Sequence, residues 1–181
     1  MTTNRYSGLT MLLHWAIAAL VIVNWRIAEA AENAPEEEAG AIMSNHFSVG
    51  VTILVLILLR LIWRFVHPTP PLAAHLATWE RMLAKTTHTL FYIILIVMPL
   101  AGWTAMSSFG RGVSVWGLFE LPPLPVSENM DRGMAIFDAH ATAGMVLLAL
   151  IVIHVLGSLK HTLIDKDGNL FRMLPFGTPR A

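Results

Sequence analysis

The run AIFDAHATAGMVLLALIVIHVLGSLKH, residues 135–161, decides how this chain folds. It is one long apolar stretch that carries His140 and His154 fourteen residues apart. At about 1.5 Å and 100° per residue, fourteen steps climb roughly 21 Å along a helix and return to within about 40° of the starting direction. Two imidazoles therefore face one way at two depths. A histidine inside a membrane span is costly unless it is paired or ligating, so it is a functional residue by default. The stretch reads as half of the ligand set for two stacked haems.

Composition agrees with a membrane setting. Of 181 residues, 55% are hydrophobic and only 13% are charged, and the mean hydropathy is +0.61. That is too apolar for an ordinary soluble domain. No cysteine occurs, which excludes disulfides, iron–sulfur clusters, thiolate metal sites and covalent haem attachment. Any haem is then of the non-covalent b type. The expected partners are lipid and small redox molecules, with no nucleic acid.

Four runs are long enough to cross a hydrocarbon core of about 30 Å. They cover about 9–27, 46–63, 88–106 and 136–160, followed by a tail at 161–181, and they predict a single all-α domain, an integral membrane four-helix bundle. The first run imitates a secretory signal, with Arg5 ahead of an apolar core and small residues near Ala28 to Ala34. Against cleavage stand His14 and Trp15 inside the core and Asn24, Trp25 and Arg26 at its end, which suit a span with an interfacial anchor.

An even number of spans places both termini and the connection after the second span on one side. That side holds nine bases, Arg180 among them, against three acids, a net of +6, while the other holds three bases against nine acids, a net of −6. The positive-inside rule then makes both termini cytoplasmic, in a bacterial inner membrane. HPTPP, residues 67–71, reads as an extended exit from the second span. Pro99 and Gly102 predict a kink and closer packing in the outer half of the third. The outer segment 107–132 is turn-rich, with Trp116 and Phe119 suited to the interface, and Glu36 to Glu38 read as a solvated loop.

Depth sorts the eight histidines. His46 starts the second span at the outer face, level with His140, while His14 and His154 each lie roughly 10 Å in from the cytoplasmic side. His88 and His161 belong at the cytoplasmic boundary, shallower than the inner pair, and His67 and His75 fall in the connection. Two level pairs on different helices are what bis-histidine haem ligation requires. Gly50 and Gly144 follow the outer histidines by four and Gly157 follows His154 by three, offering bare backbone against which a porphyrin can lie. Zinc or copper would want three or four ligands at one level.

RYSGLTMLLHW near the start, LLRLIWRFVHPTPP, His88 opening the third span, and HATAGMVLLALIVIHVLGSLKHTLIDKDGNLFRMLP at the end resemble the bacterial cytochrome b561 family of four-helix dihaem membrane proteins. The resemblance runs over nearly the whole chain. It implies two b haems, held by His14 with His154 and by His46 with His140. It further implies electron exchange with ubiquinone at the cytoplasmic side and, in some members, oxidation of superoxide arriving from the periplasm.

Quinone reduction needs protons, and His88 and His161 are placed to exchange them. Lys85, one turn before His88, is a candidate to hold a quinone carbonyl, or else a snorkelling base. Arg26, Arg60 and Arg64 suit haem propionates, or else set topology. The acidic outer side steers an anion such as superoxide poorly and suits a cationic protein donor, unless Arg26, Arg111 and Arg132 stand beside the outer haem. Two other readings remain open: a haem-bearing anchor subunit relaying electrons for a soluble dehydrogenase, and a haem-free proton or metal path.

Overall fold

In a computed structural model, residues 5–67, 70 and 76–178 are described. His75, Arg180 and most of the HPTPP segment lie outside them. The chain forms four long helices, α1 (Gly8–Glu32), α2 (Glu36–Val66), α3 (Thr78–Ser108) and α4 (Met130–Leu163). All four are long and apolar enough to cross a membrane, so the protein is an all-α integral membrane bundle. Its helices turn large apolar side chains outward, Leu12, Val55, Ile62, Ile93, Val152 and Leu156 among them. In water that surface would be ruinous; in lipid it costs nothing, because the solvent is itself hydrocarbon.

Each helix runs past its apolar run, since hydropathy marks contact with lipid and not where backbone bonding begins. Ser7 caps α1 by accepting the Thr10 N–H at 3.3 Å, and Asn129 caps α4 by accepting the Arg132 N–H at 2.8 Å. Glu36, Glu37 and Glu38 make the first turn of α2 and not a loop. Carboxylates there complement the positive end of the helix dipole. α3 continues through Pro99 as one helix.

α1 packs along α2, α3 along α4, and α2 bridges to α3. The core is Ile17, Val21, Val49, Ile53 and Ile57 from α1 and α2, joined by Leu95 and Leu147 from α3 and α4. Neither α1 with α4 nor α2 with α4 is among the closely packed pairs.

The outer segment is more ordered than its turn residues suggest. β1 (Val113–Val115) and β2 (Phe119–Leu121) pair antiparallel, with Val115 opposite Phe119. Trp116 (φ 55°) and Gly117 (φ 67°) are both left-handed, and Leu118 N–H donates to Val115 O at 3.0 Å, as in a type I′ turn. Trp116 accepts this conformation because its backbone N–H donates to Ser48 Oγ at 2.9 Å and its indole N–H to Thr52 Oγ1 at 3.1 Å. The hairpin is thereby pinned to α2.

At the opposite end the tail folds back on α1. Trp15 donates its indole N–H to Met173 O at 2.8 Å, and Tyr6 N–H donates to Arg172 O at 3.1 Å. Beyond α2, His67 stacks on Trp63 with ring centres 3.5 Å apart.

Gly133 is required by space. A Cβ there would stand 2.3 Å from Phe109 Cε1, and Phe109 is itself stacked on Phe137 at 5.6 Å. Gly133→Ala is expected to destabilise the protein by about 1–3 kcal/mol, the usual cost of overpacking. Thermal unfolding in detergent checks it.

Candidate functional site

α4 supplies one imidazole to each of two sites. The His46 and His140 ring centres are 6.0 Å apart, and those of His14 and His154 are 6.2 Å apart. An iron held about 2 Å from each of two imidazole nitrogens sets the ring centres roughly 6 Å apart. Both spacings fit that requirement. Each pair also reaches across helices that are not among the closely packed ones, α2 to α4 and α1 to α4, as suits a flat macrocycle between them.

Hydrogen bonding fixes the chemistry of the outer pair. His46 Nδ1 lies 3.1 Å from Asn24 O, and His140 Nδ1 lies 3.1 Å from Met98 O. A carbonyl only accepts, so Nδ1 carries the proton and Nε2 keeps its lone pair, the form that ligates a metal. Met98 directly precedes Pro99, and Gly102, one turn on, stands where even a Cβ would be 3.7 Å from the His140 ring. The small residue lets α3 approach the imidazole it anchors.

The glycines behave unequally. A Cβ at Gly157 would meet nothing within 4 Å, at Gly144 it would approach Met98 Cε at 3.8 Å, and at Gly50 it would approach Asn24 Nδ2 at 3.8 Å. Asn24 carries a buried side-chain oxygen without a hydrogen-bond partner. A backbone carbonyl that holds the imidazole and an orphaned polar atom beside Gly50 fit a polar-edged group seated there.

The other site residues lie as follows. His88 was expected to be shallower than the inner pair, but its ring centre is 5.4 Å from that of His154, nearly perpendicular. The reason is that α3 starts at Thr78, so His88 is already about 15 Å along the helix. Its Nδ1 donates to Ala84 O at 2.6 Å. His161, two turns below His154 on the same face of α4, has Nδ1 2.9 Å from both Asp165 Oδ2 and Asp167 Oδ2. Lys85 is exposed on α3.

Arg60 ties three helices together beside the inner histidines. It donates from Nε to Tyr92 Oη at 3.3 Å and from a terminal nitrogen to Thr10 O at 3.2 Å, while the Arg64 guanidinium lies 5.7 Å from the centre of the Tyr92 ring. Arg26, by contrast, pairs with Glu29. Arg132 donates to Ser108 Oγ at 3.1 Å and to Ser127 O. Sequence reasoning missed Asn24, Tyr92, Asp165 and Asp167. Only the aspartates carried a legible signal, the i, i+4 step from His161 to Asp165.

Against known proteins, the model of the prokaryotic cytochrome b561 family matches residues 5–176. The probable superoxide oxidase CybB of Yersinia pestis is 29% identical over 94% of this chain and 96% of its own length. Cytochrome b561 homolog 1 of Escherichia coli K12 is 28% identical over 95% of this chain and 98% of its own. Cytochrome b562 of Cereibacter sphaeroides is 29% identical over 93% of this chain and 94% of its own.

Proposed function

Because this chain belongs to the prokaryotic cytochrome b561 family, bacterial multi-pass membrane proteins that transfer electrons through b-type haem, we propose that it is a dihaem oxidoreductase passing electrons from a periplasmic donor to ubiquinone. The observation that carries this reading is the pair of imidazole–imidazole spacings near 6 Å, His14 with His154 and His46 with His140. Held by these residues, b-type haem would supply one-electron chemistry at each pair.

The residues around them have separable tasks. The Asn24 and Met98 carbonyls stop the outer imidazoles from rotating and keep Nε2 deprotonated. With His14 and His154, or His46 and His140, as its protein ligands, a haem held at either site would suit electron transfer and not oxygen binding. At the end carrying the termini, taken as cytoplasmic from its +6 charge, Arg60 and Tyr92 offer hydrogen-bond donors to an anion. His88 and His161 exchange protons, and Lys85 receives a quinone carbonyl.

Superoxide oxidised to O₂ is the donor suggested by the name of the Yersinia pestis relative. The test is stopped-flow mixing of superoxide with the purified protein and excess ubiquinone, beside haem quantitation. Two haems per chain and quinol formation with superoxide as sole donor are expected. A colourless protein removes the reading.

A second reading has a cationic protein, such as a soluble dehydrogenase or its carrier, deliver the electrons. It is favoured by the exposed Glu36, Glu37 and Glu38 and by the local engagement of Arg26 and Arg132. Replacing the three glutamates with glutamine is expected to slow a cationic donor several-fold at low salt and to leave superoxide unslowed, with the difference fading as the Debye length shrinks below about 8 Å. Donor-dependent haem reduction rates at two ionic strengths decide between the donors.

A further inference from the structure

Below the inner histidines α4 ends in HTLIDKDGN, residues 161–169. Asp165 follows the helix end by two residues, its N–H still donating to Lys160 O at 3.1 Å, which keeps it one turn beyond His161. The chain then reverses through Lys166 (φ 53°) and Gly168 (φ 72°). Asp167 N–H donates back to His161 O at 3.2 Å, while Asp167 Oδ1 accepts the Asn169 N–H at 2.8 Å. The turn thus delivers a second carboxylate, Asp167 Oδ2, to the same imidazole.

His161 Nδ1 stands 2.9 Å from Asp165 Oδ2 and 2.9 Å from Asp167 Oδ2, and among the described residues no other group of three such donors converges within 4.8 Å. The nitrogen is buried and aligned with neither oxygen well enough to hydrogen-bond. A cation among the three atoms gives that buried ring nitrogen a partner and takes one oxygen from each carboxylate. An octahedral ion with bonds of about 2.1 Å holds adjacent ligand atoms roughly 3 Å apart, close to the spacing seen. One imidazole with two carboxylates suits a first-row transition metal better than calcium or magnesium, which take oxygen alone. Lys160 Nζ also lies 2.8 Å from Asp165 Oδ2. Its second partner is Glu80, on which it can remain when a cation arrives.

We propose that His161 Nδ1, Asp165 Oδ2 and Asp167 Oδ2 form a binding site for a divalent first-row transition-metal cation where α4 meets the C-terminal tail. The site does not depend on the haem or quinone assignments. The test is calorimetric titration of Zn²⁺ into chelator-treated full-length protein in detergent, for the wild type, Asp167→Asn and His161→Asn. One saturable site is expected, weakened at least about tenfold by either substitution, as loss of a ligand requires. Thermal unfolding is followed in parallel. X-ray absorption of the Zn²⁺-loaded wild type, expected to resolve one imidazole among oxygen neighbours, keeps the test decisive if a variant fails to fold. No retained zinc, affinity indifferent to both substitutions, or a shell of several imidazoles would overturn the proposal.

Discussion

Replacing His140 with alanine is expected to lower the haem content from two per chain to one, and replacing both His140 and His154 to abolish it. α4 supplies one imidazole to each site, so its two histidines are the shared element. His46→Ala should reproduce the His140 effect, because its ring centre is 6.0 Å from that of His140. His14→Ala should match His154→Ala by the same logic at 6.2 Å. The losses are near complete because a b haem has no covalent bond to the chain. Pyridine haemochrome quantitation reads the stoichiometry, and redox titration shows which component has gone. Full haem content in all four single variants would end the pairing.

His161→Ala is expected to retain both haems yet slow quinol formation about 10²-fold or more, the scale of a lost general acid–base group. His161 lies two turns from His154, so its removal leaves the proposed ligand sets intact. His88→Gln is expected to act in the same direction, but it touches the His154 ring, so its haem content must be measured beside its rate. Reduced haem mixed with a ubiquinone analogue in a stopped-flow instrument separates the effects. Unchanged quinone kinetics in the double variant would remove these two histidines from the quinone site.

Much of the bundle was legible because lipid imposes one-dimensional rules. About twenty apolar residues make a span, and the step from His140 to His154 needs only helical periodicity to place two imidazoles on one face. Where the rules concern only lipid contact, the reading fell short. α2 starts at Glu36 and α3 at Thr78, each ten residues before its apolar run, which turned an acidic loop into a helical turn and carried His88 up beside His154. The β1–β2 hairpin escaped because its stability lies in Ser48 and Thr52 on another element, not in its own short strands.

The sequence by itself determined that this chain is a membrane helix bundle with paired histidines at two levels and no cysteine chemistry, because period, hydropathy and composition are properties of the chain taken alone. Only the tertiary structure decided which groups complete each histidine. The Asn24 and Met98 carbonyls, the perpendicular ring of His88 and the two aspartates around His161 reach their partners through helix crossings and a left-handed turn. Sequence separation carries no distance information of that kind: a hydrogen bond from His140 to Met98 spans 42 residues along the chain and 3.1 Å in space.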